Sequence, residues 1–264
     1  MVNVNLAFRR RIGFPEHEPI TFAKLPDILY RTAQALPFEN LSILSGRTKE
    51  ISDQNLTQKI IQQKEGGLCY ELNAILYLFL LQNGFKVVLI CGVVYSEPEQ
   101  DWSRTERTHA AILLFHQGKE YLLDTGFGGN LPLMPVPLTG ETVFSDNGEF
   151  KVKQENSPYG NYIFEVKLKY KHEHWKTGYA FDTKHQITNV SDLNSMQETT
   201  KHHPASAFNK KPLVTRLTSQ GSITLTGSSL TEWVKGIEIK KPITEDTFQE
   251  ALKTYFNIET GAQN

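Results

Sequence analysis

Cysteine is almost absent from this chain: Cys69 and Cys91 are the only two in 264 residues. Two cysteines make no framework for a disulfide-stapled secreted domain, and nothing forces them to pair, so both are expected free in a reducing cytosol. Charge of one sign is also lacking. The 28 basic and 29 acidic side chains leave a net charge of −1, which supports neither a nucleic-acid surface nor an acidic tail. Long apolar runs are missing. The longest, Ala74 to Leu81, falls far short of the roughly 20 residues that span a bilayer, and it reads as a buried helix. Met1 to Phe14 carries the basic cluster Arg9-Arg10-Arg11 without a continuous apolar segment or a small-residue cleavage site, so no signal peptide is expected. Internal repeats and low-complexity tracts are not seen. A cytoplasmic protein with no nucleic-acid or membrane partner follows as the expectation. Its 39% hydrophobic content is enough to build a core unaided.

Three regions separate by pattern. The first, residues 1–84, reads as helical. Phe22, Leu25, Ile28 and Leu29 recur at helix-like spacing within 21–34, although Pro26 limits where that helix can begin. Pro37-Phe38-Glu39-Asn40 breaks the pattern. Residues 52–63 read as a short helix capped by Ser52 or Asp53. After the Gly66-Gly67 turn, Cys69 to Gln82 predicts a strong helix, with Gly84 at its C-terminal cap. The second region, 85–194, reads as antiparallel strand: 86–95, 110–115, 120–124, 150–154 and 162–170. Residues 116–119 form a hairpin turn between the second and third of these, and 126–129 and 132–137 are loops. The third region, 195–264, is expected to open with a polar loop over 197–204. It continues with strands 213–217 and 222–226 and closes with a helix over 244–256.

Chemistry concentrates at three positions. Cys69 follows two glycines and opens a helix, where backbone N–H groups stabilise an anion and favour the reactive thiolate. By position alone it fits a small buried core cysteine equally well. His109 stands at the mouth of a strand, where a surface histidine is the plainer reading. Asp124 ends the next strand. The hairpin changes the weighing, because pairing about Gln117-Gly118 sets residues 109–111 opposite 124–126. His109 and Asp124 become cross-strand neighbours at one end. A helix-borne nucleophile, a histidine base and a carboxylate that orients it form a papain-like or transglutaminase-like triad. Spacing alone leaves protease, transglutaminase and acyltransferase open. His172 with His174, and His202 with His203, lack the further ligands of a metal site and read as surface residues. Lys167 to Lys171 reads as a solvated strand face, and Cys91 as core.

Local sequence narrows the choice. Gly66-Gly67-Leu68-Cys69-Tyr70-Glu71-Leu72-Asn73 resembles the Arg-Gly-Gly-x-Cys-x-Glu-x-Asn motif of the arylamine N-acetyltransferases. Pro37-Phe38-Glu39-Asn40-Leu41, Arg107-Thr108-His109, Tyr121-Leu122-Leu123-Asp124-Thr125-Gly126-Phe127-Gly128, His203-Pro204-Ala205-Ser206-Ala207-Phe208 and Leu225-Thr226-Gly227 resemble further elements of that family, in order, across about residues 20–235. The resemblance implies an α+β fold made of an N-terminal helical domain, a central antiparallel β-barrel and a C-terminal α/β lid. It implies a ping-pong acetyl transfer from acetyl-coenzyme A, through an acetylated Cys69, to an arylamine, N-hydroxyarylamine or arylhydrazine, with His109 and Asp124 completing the triad. Coenzyme A is then a substrate, with no permanent cofactor. Phe38, Phe127 and Phe208 match the aromatic acceptor pocket. Thr108, Gly126 and Gly128 are expected to line the substrate cleft.

One position departs from the family motif. The arginine four residues before the cysteine is replaced by Glu65. In the family that arginine pairs with the glutamate at 39, so two acids are expected to face each other here, with Lys64 as the candidate cation. A catalytically degenerate binder of coenzyme A or aromatic ligands is the alternative that Glu65 supports. A transglutaminase-like thiol hydrolase is the alternative that the triad allows.

Overall fold

The computed structural model describes residues 3–259. Five helices and one short strand come first: α1 (Asn5–Ile12), α2 (Leu25–Ala35), β1 (Phe38–Glu39), α3 (Leu41–Leu44), α4 (Asp53–Leu56) and α5 (Cys69–Gln82). Pro26 lies in the first turn of α2, where its missing N–H costs nothing. Ser52 caps α4, its side chain accepting from Asn55 N–H, and the chain continues as a wide turn through Thr57–Gln62. Helix α5 is buried from Cys69 to Leu80 without a polar face. It packs on β2 and β4 on one side and on α1 and α4 on the other, so it forms the spine of the largest apolar cluster.

The middle of the chain forms a strongly curved antiparallel sheet. Its strands are β2 (Lys86–Ser96), β3 (Asp101–Trp102), β4 (His109–His116), β5 (Lys119–Leu123), β6 (Val136–Pro137), β7 (Val143–Ser145), β8 (Gly148–Ser157), β9 (Gly160–Leu168) and β10 (Lys176–Ile187). The order is β6-β5-β4-β2-β10-β9-β8-β7, with β3 on β2. Its inner face is a second apolar cluster that includes Phe150, Phe164, Tyr179 and Phe181. The β4–β5 hairpin turns on Gln117 and Gly118, both at positive φ, the backbone a two-residue turn needs to match strand twist. Ile112 pairs with Leu123, which is the register expected from the turn.

After α6 (Asn194–His202) the chain forms β11 (Leu213–Thr218), β12 (Gly221–Thr226), β13 (Ser229–Val234), β14 (Ile237–Pro242) and α7 (Glu245–Ala251). The sheet order is β1-β11-β12-β13-β14. The architecture is α+β.

Several local expectations are corrected. Residues 197–204 are not a loop: α6 covers most of them, with Met196, Gln197 and Thr200 turned inward. Met196 is the lone apolar residue among these three, so no periodic signal marked the helix. Strand β9 ends at Leu168, and residues 169–171 form a turn in place of a strand face. Val136–Pro137, read as loop, pairs with β5. Strands β10, β13 and β14 carried no reading of their own. Phe38–Glu39, read as a break, is the edge strand that completes the sheet of the third region by pairing with Thr215 and Val214.

Candidate active site

Three loops and one helix end converge beside Cys69. The helix places the thiol at its N-terminus, 7% exposed. The thiol donates to the Thr108 carbonyl at 3.3 Å. Gly126 passes directly over it: a Cβ built there would lie 2.5 Å from Cys69 Cα. The turn before the helix is held against β1. Glu39 N–H donates to the Gly67 carbonyl at 3.0 Å, and Gly67 N–H to the Pro37 carbonyl at 3.2 Å. A Cβ at Gly66 would stand 2.0 Å from that same carbonyl oxygen, so the glycine permits the approach.

His109 Nε2 lies 2.7 Å from Asp124 Oδ2, which leaves Nδ1 as the ring nitrogen available to the thiol. Burial opposes charge on His109, but the Asp124 charge and hydrogen bond, with a smaller contribution from Cys69, outweigh it and raise the imidazole to about 10. Burial likewise opposes ionisation of Asp124, and the His109 charge and the hydrogen bonds around the carboxylate hold it below its ordinary range. Those bonds are complete. Oδ1 accepts from Asn73 Nδ2 at 2.9 Å and Gly126 N–H at 2.7 Å, and Oδ2 accepts from His109 and from Tyr179 Oη at 2.9 Å. A fully bonded buried carboxylate stays ionised and fixed, which also fixes the imidazole. Asn73 is one helical turn beyond Cys69 and donates to the Ala110 carbonyl as well, at 2.7 Å. Helix α5 and strand β4 are thereby joined through one amide. The other cysteine is different: burial pushes the Cys91 thiol up to about 11.

The thiol opens into a cleft of about 640 Å³ to which all three regions contribute. Phe38, Phe127, Phe208, Thr108, Gly126 and Gly128 all line it. Phe38 and Phe208 meet edge to face at 5.5 Å, and Phe127 stands 5.1 Å from the His109 ring. Asn40 holds this arrangement in place, donating to the Phe208 and Lys211 carbonyls at 2.8 and 2.9 Å and accepting from Leu213 N–H.

The cation beside Glu39 is Lys59, not Lys64. Its ammonium, largely buried, lies 3.2 Å from Glu39 Oε1 and 2.7 Å from Glu71 Oε1. Burial would lower its pKa, and the two carboxylate charges outweigh that and raise it. Glu71 in turn caps the N–H of Leu68, the residue just before Cys69, at 2.9 Å. Lys64 points to solvent. Glu65 is partly buried, and desolvation is the main cause that raises its carboxyl.

Tyr179 and Lys59 escaped the sequence reading. Tyr179 lies on a strand that was not read, and Lys59 sits on a polar helix where nothing marks it. Asn73, four residues after the thiol, was visible only as a motif letter. The histidine pairs lie away from this centre. His172 accepts from Leu168 N–H, His202 faces Glu198, and among the described residues no group of three or more His, Cys, Asp or Glu could hold a metal. No helix among them is long and apolar enough to cross a membrane.

A helix-borne thiol with a histidine and a carboxylate from an adjacent antiparallel sheet is the arrangement of the thiol acyltransferases and hydrolases. Comparison with known proteins makes this specific. The N-acetyltransferase family model matches residues 21–264. An uncharacterized acetyltransferase of Bacillus subtilis, YvcN, is 38% identical over 94% of this chain and 95% of its own. A probable arylamine N-acetyltransferase of Dictyostelium discoideum is 31% identical over 96% of this chain and 92% of its own. The crystal structure of an arylamine N-acetyltransferase from Bacillus cereus superposes with a TM-score of 0.92 at 38% identity, covering 98% of this chain and all of that one. That protein is described as having a unique Cys-His-Glu triad, whereas this chain has an aspartate, Asp124, against its histidine. The chain belongs to the arylamine N-acetyltransferase family.

Proposed function

We propose that this enzyme moves an acetyl group from acetyl-coenzyme A to an aromatic amine, N-hydroxyarylamine or arylhydrazine in two steps, with Cys69 as the carrier and His109 and Asp124 as its partners. The observation that carries the reading is the buried His109 held between Cys69 and a carboxylate with every lone-pair direction occupied, at the floor of an aromatic cleft. In the first step His109 holds, as imidazolium, the proton given up by the thiol, and the Cys69 sulfur adds as thiolate to the thioester carbonyl. The tetrahedral adduct collapses as the coenzyme A sulfur leaves with that proton. In the second step the amine nitrogen adds to the acetyl-cysteine carbonyl, His109 accepts the nitrogen's proton, and the Cys69 sulfur is released as the amide forms. Asp124 keeps Nε2 engaged throughout, so Nδ1 does the shuttling. Phe38, Phe127 and Phe208 offer ring faces and edges to a flat acceptor.

The family membership and the aromatic cleft favour transfer over a transglutaminase-like hydrolysis. The alternative of a degenerate binder drew on Glu65, and Lys59 supplies the cation that Glu65 displaced. Intact-protein mass spectrometry after brief exposure to acetyl-coenzyme A tests the proposal. One acetyl group should appear, be absent in Cys69→Ala, and be removed by an aromatic amine or hydrazine. A folded protein that gains no acetyl group would overturn it.

A further inference from the structure

Strand β14 is the last in its sheet, and among the described residues nothing pairs with its outer edge. It is exposed from end to end. Sheet edges are usually blunted by charge, proline or a bulge. Lys240, Lys241 and Pro242 are residues of that kind, but Ile237 and Ile239 are not. These two stand on one face of the strand, exposed by 65% and 44%. The register against β13 is unbroken. The turn between the two strands, Lys235-Gly236, has positive φ at both residues, so Val234 and Ile237 beside it exchange both backbone hydrogen bonds. Counting on from that pair, Ile237, Ile239 and Lys241 direct their N–H and C=O groups to β13. Those of Glu238 and Lys240 point outward. Pro242 holds the next outward position, where its missing N–H ends the usable stretch.

A second copy of this strand, lying antiparallel along the edge, must use the same outward groups, and the position of the two-fold axis sets the register. An axis at Glu238 puts two glutamates opposite each other. An axis at Lys240 does the same with two lysines and brings Pro242 into the ladder. An axis at Ile239 sets Glu238 opposite Lys240 on both sides, each such pair exchanging two backbone hydrogen bonds. Opposite charges support a strand pair and like charges weaken it, so the axis at Ile239 is the favoured one. Within the chain Glu238 is felt by Lys171, and Lys241 pairs with Glu232 at 3.6 Å. Among the described residues Lys240 has no ion-pair partner of its own.

We propose that β14 is a docking edge for a second copy of this chain, which pairs antiparallel about a two-fold axis at Ile239 and continues the five-stranded sheet across it. Glu238 faces the partner's Lys240, and the symmetry repeats that contact. Ile239 packs on the partner's Ile239, and Ile237 lies along the aliphatic stem of the partner's Lys241. The isoleucines that the single chain leaves in water are covered by the pairing. The ladder is short, and its area falls at or below the low end of specific interfaces, about 1,200 Å². The two copies therefore associate and separate at micromolar concentration. None of these residues lines the cleft over Cys69.

Sedimentation velocity of the full-length protein tests this. Between about 1 and about 100 µM, where a small interface associates, the mean mass should rise from the 30.0 kDa of one chain toward twice that value. Ile239→Lys brings two ammonium groups together at the axis, and Lys240→Pro removes an outward N–H that β13 does not use. Each should weaken association about tenfold or more while a cooperative melt shows that the fold is kept. Glu238→Lys and Lys240→Glu should each weaken it as well, and the two exchanges combined in one chain should restore it. A chain that stays monomeric throughout the range overturns the proposal and leaves the edge to a foreign peptide. So does a dimer indifferent to Ile239→Lys and Lys240→Pro, or a mass that climbs past two chains. A combined exchange that fails to restore what each single reversal removes overturns the axis at Ile239.

Discussion

Lys59 and Glu71 meet at 2.7 Å inside the protein, and that ion pair closes the turn from which Cys69 projects. The glutamate holds the Leu68 N–H with its other oxygen, so the ammonium, the carboxylate and the residue before Cys69 are bonded as one unit. Glu39 joins it from β1. The cation thus reaches that carboxylate from the wide turn at Thr57–Gln62 and not from the motif position at 65.

Removing this cation should be costly. Lys59→Met leaves two buried carboxylates without a counter-charge, and the loss expected on breaking a buried pair is about 3–5 kcal/mol. Thermal unfolding should show it as a large fall in Tm. Glu65→Arg alone should raise neither Tm nor turnover, because the slot is filled. In the Lys59→Met background the same change should recover part of the loss. A clear gain from Glu65→Arg in the wild type would show that Lys59 does not serve this role.

The contact between Gly126 and Cys69 makes a sharper prediction. Gly126→Ala places a methyl group 2.5 Å from Cys69 Cα, so the loop or the helix end must shift. Acetyl-cysteine formation should drop steeply. Gly129→Ala, where a Cβ meets nothing within 4 Å, should retain it. Mass spectrometry of the acetylated protein separates the two, and equal labelling would contradict the close approach.

Tyr179 contributes one of four hydrogen bonds to Asp124. Tyr179→Phe keeps the ring in the apolar cluster and removes only the hydroxyl. A hydrogen bond to a charged group is worth about 1.5–3 kcal/mol, so denaturant unfolding should show a loss of that order. Turnover should fall while the melt stays cooperative. Unaltered stability would mean that the hydroxyl is replaceable by water.

The His109–Asp124 pair also sets a pH dependence. His109 is raised from 6.5 to about 10 in the folded protein, so its contribution to stability is full below about 6.5 and is lost as pH rises through about 10. Asp124 is lowered from 3.8, so its contribution holds above that value and is lost as pH falls through the lowered pKa. The difference in unfolding free energy between wild type and His109→Gln should therefore narrow between pH 6.5 and 10.5. A difference that stays constant over that range would show that the imidazole is not stabilised as a cation.

Much of the site could be read before the fold was known. The Gln117-Gly118 turn fixed the β4–β5 register, and that local fact put His109 beside Asp124. The helix after Gly67 was equally plain, because 14 residues from Cys69 to Gln82 form it without a breaker. Where side chains gave no period, reading failed. Helix α6 buries Gln197 and Thr200 beside Met196, and polar residues turned inward look like loop. Phe38–Glu39 is too short to announce itself as a strand and exists only because β11 pairs with it.

The sequence by itself determined the helix that carries Cys69, the hairpin that joins His109 to Asp124 and, through its ordered motifs, the family. These depend on neighbours a few residues apart, where propensity and turn geometry act directly. Tertiary structure decided the rest: Lys59 as the cation for Glu39 and Glu71, and Tyr179 as the fourth donor to Asp124. Those groups come from separate elements of the chain. Lys59 and Tyr179 owe their roles to burial, where an unmatched charge or donor is expensive and the fold must bring a partner to it.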